Sequence, residues 1–116
     1  MPRRLVATPF SAKVGARLYE LRRDRGMTLA ELADASHVSR GHLSNIEHGL
    51  VGITIDTIER VARALELPPL YLLTFAEEDE RANLVEMARK LPPGEITKVA
   101  RDMRKVIRGR TSLRKT

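Results

Sequence analysis

Residues 27–49 read MTLAELADASHVSRGHLSNIEHG, and the spacing inside this stretch decides the fold. Thr28 offers a hydroxyl to the open N–H groups of a helix start, and Glu31 stands three residues on, where each side chain satisfies the other's backbone donor. Leu29, Leu32 and Ala33 share one face, which predicts a helix over about 29–35. Ser39 is the next hydroxyl cap, eleven residues after the first, and opens a helix over about 40–48 that buries Leu43 and Ile46 and stops at Gly49. A connector of three or four residues, containing His37 and Val38, is all that separates them. Two short capped helices around so tight a turn form a helix-turn-helix layout. Leu32, Ala33, Val38, Leu43 and Ile46 must pack so that the second helix projects rigidly, and Ala33 must be small because the two helices nearly touch there.

Upstream, Val14, Leu18 and Leu21 step by four and three along a first helix ending at Gly26, with Arg17, Arg22, Arg23 and Arg25 read as largely off that line. Downstream, Thr54 or Asp56 can cap a fourth helix with Ile55, Ile58, Val61, Ala62 and Leu65 as its core stripe. Pro68-Pro69 opens a short fifth helix, Leu70 to Phe75, because proline's missing N–H costs nothing in a first turn. Beyond the acidic block Glu77–Glu80, Leu84, Val85, Ala88 and Leu91 outline a sixth helix. Ile96, Val99, Ala100, Met103, Val106 and Ile107 mark a seventh, whose other face is Lys98, Arg101, Arg104, Lys105 and Arg108. Strand-like alternation is confined to Gly52–Ile55. The expected fold is all-α: a flexible basic arm over 1–11, a five-helix domain over 12–76, a two-helix hairpin over 77–109 closed by Gly109, and a basic tail over 110–116. A hairpin of this size cannot bury both of its stripes alone, so its apolar residues are read as a dimerisation surface.

Composition narrows the function classes. The chain has 116 residues, 42% of them hydrophobic and 31% charged, enough to fold as one modest domain with an appendage and too few for a multi-lobed enzyme. Cysteine is absent, which excludes disulfides, thiolate metal sites and a thiol nucleophile. No stretch approaches the roughly 18 apolar residues of a membrane span, and a cytoplasmic protein without membrane contact is expected. The net charge of +6 suits a polyanion, but it is unevenly spread: +5 over residues 1–26, −3 over 27–76 and +4 over 77–116. His37, His42 and His48 share no metal-ligand spacing with a carboxylate, so no metal is assigned. Glycine-flanked serine turns and phosphate-cradling loops are missing, so neither enzymatic activity nor a cofactor is expected. The basic face of the seventh helix can equally be solvated charge.

The stretch LRRDRGMTLAELADASHVSRGHLSNIEHG, the following TIDTIERVARALEL and the closing PPLYLL together resemble the Cro and phage-repressor type of helix-turn-helix domain, the XRE family. The likeness covers about Val14 to Thr74, half the chain. It implies a lambda-repressor-like domain of a bacterial or phage-encoded, nucleoid-associated regulator whose partner is double-stranded DNA. The Ser39–His48 helix is then the recognition helix, with Arg40, Gly41, His42, Ser44 and Asn45 as its base-contacting face. Arg40 can hold guanine O6 and N7, and Asn45 adenine N6 and N7, each pair worth about 1–3 kcal/mol of discrimination. Phosphate contacts fall to Thr28, Ser39, Thr54, Lys13 and Arg17, with Arg3 and Arg4 on the arm. The resemblance also pairs Arg22 with Glu47, locking the recognition helix onto the first helix. Two positions depart from the family: Leu29 where glutamine commonly grips phosphate, and Ile53 where proline is common. Dimerisation through Leu84, Val85, Ala88, Leu91, Ile96, Val99, Met103, Val106 and Ile107 would set two recognition helices one DNA turn apart, about 34–36 Å, and implies an inverted-repeat operator and a repressor. The rival reading is an antitoxin-type protein, its C-terminal helices bound to a protein partner and its helix-turn-helix domain autoregulating its own operon.

Overall fold

The computed structural model describes residues 6–115, with side-chain environments up to residue 110, and its described residues are helical with no strand. The chain divides into two compact units, Met1–Phe75 and Ala76–Thr116. The first unit holds α1 (Pro9–Asp24), α2 (Leu29–Ser36), α3 (Arg40–Glu47), α4 (Ile55–Ala64) and a 3-10 helix (Pro69–Leu73). The second holds α5 (Glu80–Lys90) and α6 (Pro93–Lys115).

Hydroxyl caps begin each of the first four helices. Thr8 accepts from the Ser11 N–H at 3.0 Å and Ser11 Oγ accepts from the Thr8 N–H at 2.7 Å, so α1 starts at Pro9, inside the stretch expected to be an arm. Thr28 and Glu31 make the reciprocal pair that their spacing predicts, at 3.1 and 3.0 Å. Ser39 accepts from the His42 N–H at 3.1 Å and Thr54 from the Thr57 N–H at 3.1 Å. Between α2 and α3 the chain reverses through His37, whose φ of 58° is left-handed, and Val38, which is buried.

Leu18, Leu21, Leu32, Val38, Leu43, Ile46, Val61, Ala62, Leu65 and Leu72 form one aliphatic core, with Ala33 partly buried against it. Ile55, assigned to this core by its spacing, is exposed instead: it is the first residue of α4, and inward contact begins one turn later at Ile58. The fifth helix is a 3-10 turn.

In the second unit Asp79 caps α5 by accepting from the Ala82 N–H at 2.7 Å. Gly109 does not end α6, which continues through Lys115 over most of the expected tail. A glycine inside a helix costs only about 1 kcal/mol, and no proline follows to stop the chain. Leu84, Leu91, Val99, Met103, Val106 and Ile107 are exposed, whereas Val85, Ala88 and Ile96 are half-buried.

Candidate nucleic-acid interface

The position of α3 is set from its inner side. Arg22 of α1 donates from Nε to Glu47 Oε2 at 2.7 Å and from Nη2 to Glu47 Oε1 at 2.9 Å, a two-pronged pair between largely buried groups. Its Nη1 donates to the Met27 carbonyl at 2.8 Å, so one guanidinium ties α1, the lead into α2 and the end of α3 together. The hydrogen bond with Glu47 raises the Arg22 pKa against the opposing effect of burial, so the guanidinium stays charged.

Gly15 supplies the other half of this seat, and sequence reasoning missed it. A Cβ there would lie 1.9 Å from the Ile46 carbonyl oxygen, so α3 rests on bare α1 backbone. Gly49, at φ +70°, then turns the chain away over Ala12. The available signal was a glycine in mid-helix, which loses helix propensity and needs a packing reason.

On the outer side, Arg40, Gly41 and Asn45 are exposed, and His42 and Ser44 are half-buried. The expected base-contacting residues therefore share one short helix, three of them exposed. His48 follows at the C-cap, exposed, with Nδ1 2.7 Å from the Ser44 carbonyl. A carbonyl can only accept, so Nδ1 carries a proton and donates it there. This residue was read from the sequence only as a helix end.

The expected phosphate contacts fare unequally. Thr28, Ser39 and Thr54 are exposed and stand at the starts of three consecutive helices, where unpaired N–H groups and the positive end of the helix dipole favour an anion. Thr54 also donates its hydroxyl proton to Thr57 Oγ1 at 2.9 Å. Beside Thr28 an open groove of about 460 Å³ is lined by Arg22, Arg23, Gly26, Met27 and Leu29. Arg23, exposed and 5.7 Å from the Tyr19 ring, adds a cation there that the sequence reading did not assign.

Arg17 is a correction: it is 5% exposed, donates from Nε to the Tyr71 carbonyl at 2.8 Å and pairs with Glu20 at 3.2 Å, so it ties α1 to the 3-10 helix and does not reach outward. Lys13 holds its ammonium 4.5 Å from the centre of the Phe75 ring, which is also edge-on to Phe10. Arg3 and Arg4 lie outside the described residues. Among the described residues no group of three His, Asp or Glu side chains could hold a metal ion, and no helix is long and apolar enough to cross a membrane.

A helix-turn-helix family model matches residues 18–72. The chain is 36% identical over 84 residues to the transcriptional regulator ClgR of Mycobacterium tuberculosis, a match covering 72% of this chain and 74% of that protein. It is 31% identical over 80 residues to the competence pilus inhibition repressor of Acinetobacter baylyi, covering 68% and 73%. Among solved structures, the restriction-modification controller protein C.Esp1396I, seen as a tetramer in complex with its natural 35 base-pair operator, is similar with a TM-score of 0.54 and 27% identity over 57% of this chain and 87% of that one.

Proposed function

This chain belongs to the XRE-type helix-turn-helix family of DNA-binding transcriptional regulators, and we propose that it acts as a sequence-specific repressor reading an inverted-repeat operator as a homodimer. The observation that carries this reading is the seat of α3: the Arg22–Glu47 pair and bare Gly15 fix the helix from behind, while Arg40, Gly41 and Asn45 face outward. A rigid helix with exposed bidentate donors suits the major groove, where each base pair presents a distinct donor and acceptor pattern.

In this mechanism Arg40 and Asn45 read base edges, His42 and Ser44 border them, and the starts of α2, α3 and α4 with Thr28, Ser39 and Thr54 set the register on phosphates. Lys13, Arg23, Arg3 and Arg4 supply the cationic surround that the acidic middle of the sequence lacks. The repressor named among the relatives and the operator-bound tetramer among the similar structures support occupancy of an operator by more than one copy. Dimerisation through α5 and α6 supplies the second copy, in the cytoplasm at the nucleoid.

Selecting bound sequences from a random duplex pool tests this. A two-fold symmetric motif with half-sites about one helical turn apart is expected, and Arg40→Ala should blur one position in each half. Recovery of no motif would refute sequence-specific reading. The exposed apolar side chains of α5 and α6 also favour a second reading, an antitoxin-type protein that holds a partner protein there. Co-purification of the native chain with a stoichiometric second polypeptide would select it.

A further inference from the structure

A cavity of about 250 Å³ lies at the turn between α2 and α3, lined by Ala35, Ser36 and His37 from the end of α2 and by Arg60 and Arg63 from α4. It stands apart from the helix starts assigned to duplex phosphates. Arg60 and Arg63 follow Thr54 by six and nine residues, roughly 9 and 14 Å along α4. Ser36 and His37 close the end of α2 opposite Thr28.

The polar groups around this cavity are nearly all donors. Ser36 is 3% exposed, and its Oγ accepts from the Val38 N–H at 3.3 Å. Among the described residues its hydroxyl proton goes to no acceptor, although a serine in a helix can return it to a carbonyl one turn back. A buried donor left in this state costs free energy until a ligand or water receives it. Arg60 makes no hydrogen bond or ion pair among the described residues, and Arg63 shares Nη2 with Glu59 at 3.0 Å. Three apart on one helix face, the two arginines are neighbours whose charges repel, and an anion between them removes that repulsion. Among the described residues no carboxylate lines the cavity.

His37 supplies an independent observation. Its φ of 58° and ψ of 29° form a left-handed conformation that glycine adopts freely and a residue with a Cβ only at a penalty. What histidine adds over glycine is an imidazole beside this cavity. The end of α2 carries about half a negative charge, which opposes an anion. The whole guanidinium of Arg60 and the part of Arg63 that Glu59 leaves outweigh it.

We propose that this cavity binds a small oxyanion ligand of the phosphate-ester class. Phosphate oxygens accept from several directions at once, and a guanidinium fork meets two of them in parallel. Arg60 and Arg63 supply the forks, Ser36 the buried hydroxyl and His37 a ring N–H. The volume equals roughly eight waters at about 30 Å³ each, room for a phosphate group and a few further atoms. Bound there, the ligand bridges α4 to the turn that launches α3.

Titration of the isotope-labelled full chain with inorganic phosphate tests this, with phosphate exchanged for chloride at constant ionic strength so that screening does not change. The amide NMR signals of residues 35–37 and 60–63 should shift and saturate. Arg60→Gln should raise the half-saturating concentration about tenfold, the loss of one charge-assisted hydrogen bond, and Arg101→Gln on α6 should leave it unchanged. His37→Gly should bind more weakly while its Tm holds or rises, because glycine fits that backbone. A change that merely disturbed the fold would lower both.

Shifts that grow with phosphate without saturating, or that saturate only beside Thr28, Ser39 and Thr54, would overturn the proposal. So would Arg60→Gln or His37→Gly binding phosphate as tightly as the parent. None of these outcomes bears on the reading of α3, which selection from a duplex pool tests separately.

Discussion

Gly15→Ala adds one methyl group between α1 and α3 and should damage the protein more than its size suggests. In an unobstructed helix the change stabilises by about 1 kcal/mol, since alanine has the higher helix propensity. Here the new carbon would lie 1.9 Å from the Ile46 carbonyl oxygen, 3.0 Å from the Ile46 carbonyl carbon and 3.4 Å from Glu47 Cα. All three are backbone atoms of α3, so no side chain can rotate away. To reach an ordinary contact of 3.4 Å the end of α3 must retreat by about 1.5 Å. Such a retreat pulls Glu47 off Arg22, whose two hydrogen bonds at 2.7 and 2.9 Å leave no slack.

Overpacking of a tight interface typically costs about 1–3 kcal/mol, and the upper end applies where only backbone can yield. Subtracting the propensity gain leaves a net loss of roughly 2 kcal/mol. At about 4–8 °C per kcal/mol for a domain this size, Tm should fall by roughly 8–16 °C, read by circular dichroism. Operator affinity should fall as well, because the recognition helix is the element displaced. Gly41→Ala is the control: a Cβ there meets nothing within 4 Å, so its Tm should hold or rise. A Gly15→Ala variant as stable as the parent would refute the close-seat reasoning and leave helix propensity as the governing effect.

Arg22→Ala or Glu47→Ala alone should cost about 3–5 kcal/mol by leaving a largely buried charge unmatched, while Arg22→Met with Glu47→Leu should recover most of it; urea unfolding of the three variants checks this. Arg17→Ala should lower stability by about 1.5–3 kcal/mol, the worth of a charge-assisted hydrogen bond, and leave the salt dependence of DNA binding unchanged. A flatter salt slope would restore Arg17 as a phosphate contact. Glu31 has its pKa lowered by the Thr28 backbone N–H and hydroxyl, so its contribution is present above the ordinary carboxylate range and disappears as pH falls through the lowered value. The Tm gap between the parent and Glu31→Gln should accordingly close on acidification.

The helices were legible because their boundaries are local chemistry. Thr28, Ser39 and Thr54 announce helix starts through hydroxyl positions that need no knowledge of the rest of the chain. What escaped depends on three-dimensional partners. Arg17 stands three residues after Val14 and four before Leu21, on the buried face by spacing, yet a charged residue reads as solvent-facing until a carbonyl such as that of Tyr71 is found to receive it. Gly15 has no side chain to enter a hydrophobic pattern, so its importance lies in an atom it lacks. Gly109 misleads in the opposite sense, because glycine ends a helix only where the chain is free to leave in a left-handed turn.

The same distinction explains how a sequence segment with net charge −3 can hold a surface suited to DNA. Net charge sums over all directions, whereas the candidate interface uses one. Glu47 is turned inward and consumed by Arg22, and Glu31 is held at its own helix start by Thr28. The exposed face of α3 is left with Arg40 as its charged side chain and Asn45 as its amide. On the proposed reading a weakly charged α3 suits selectivity: phosphate attraction raises affinity for every duplex alike, while Arg40 and Asn45 would gain only from particular base edges. In the proposed reading specificity rests on Arg40 and Asn45, while cations off α3 such as Arg23 and Lys13 supply attraction common to every duplex.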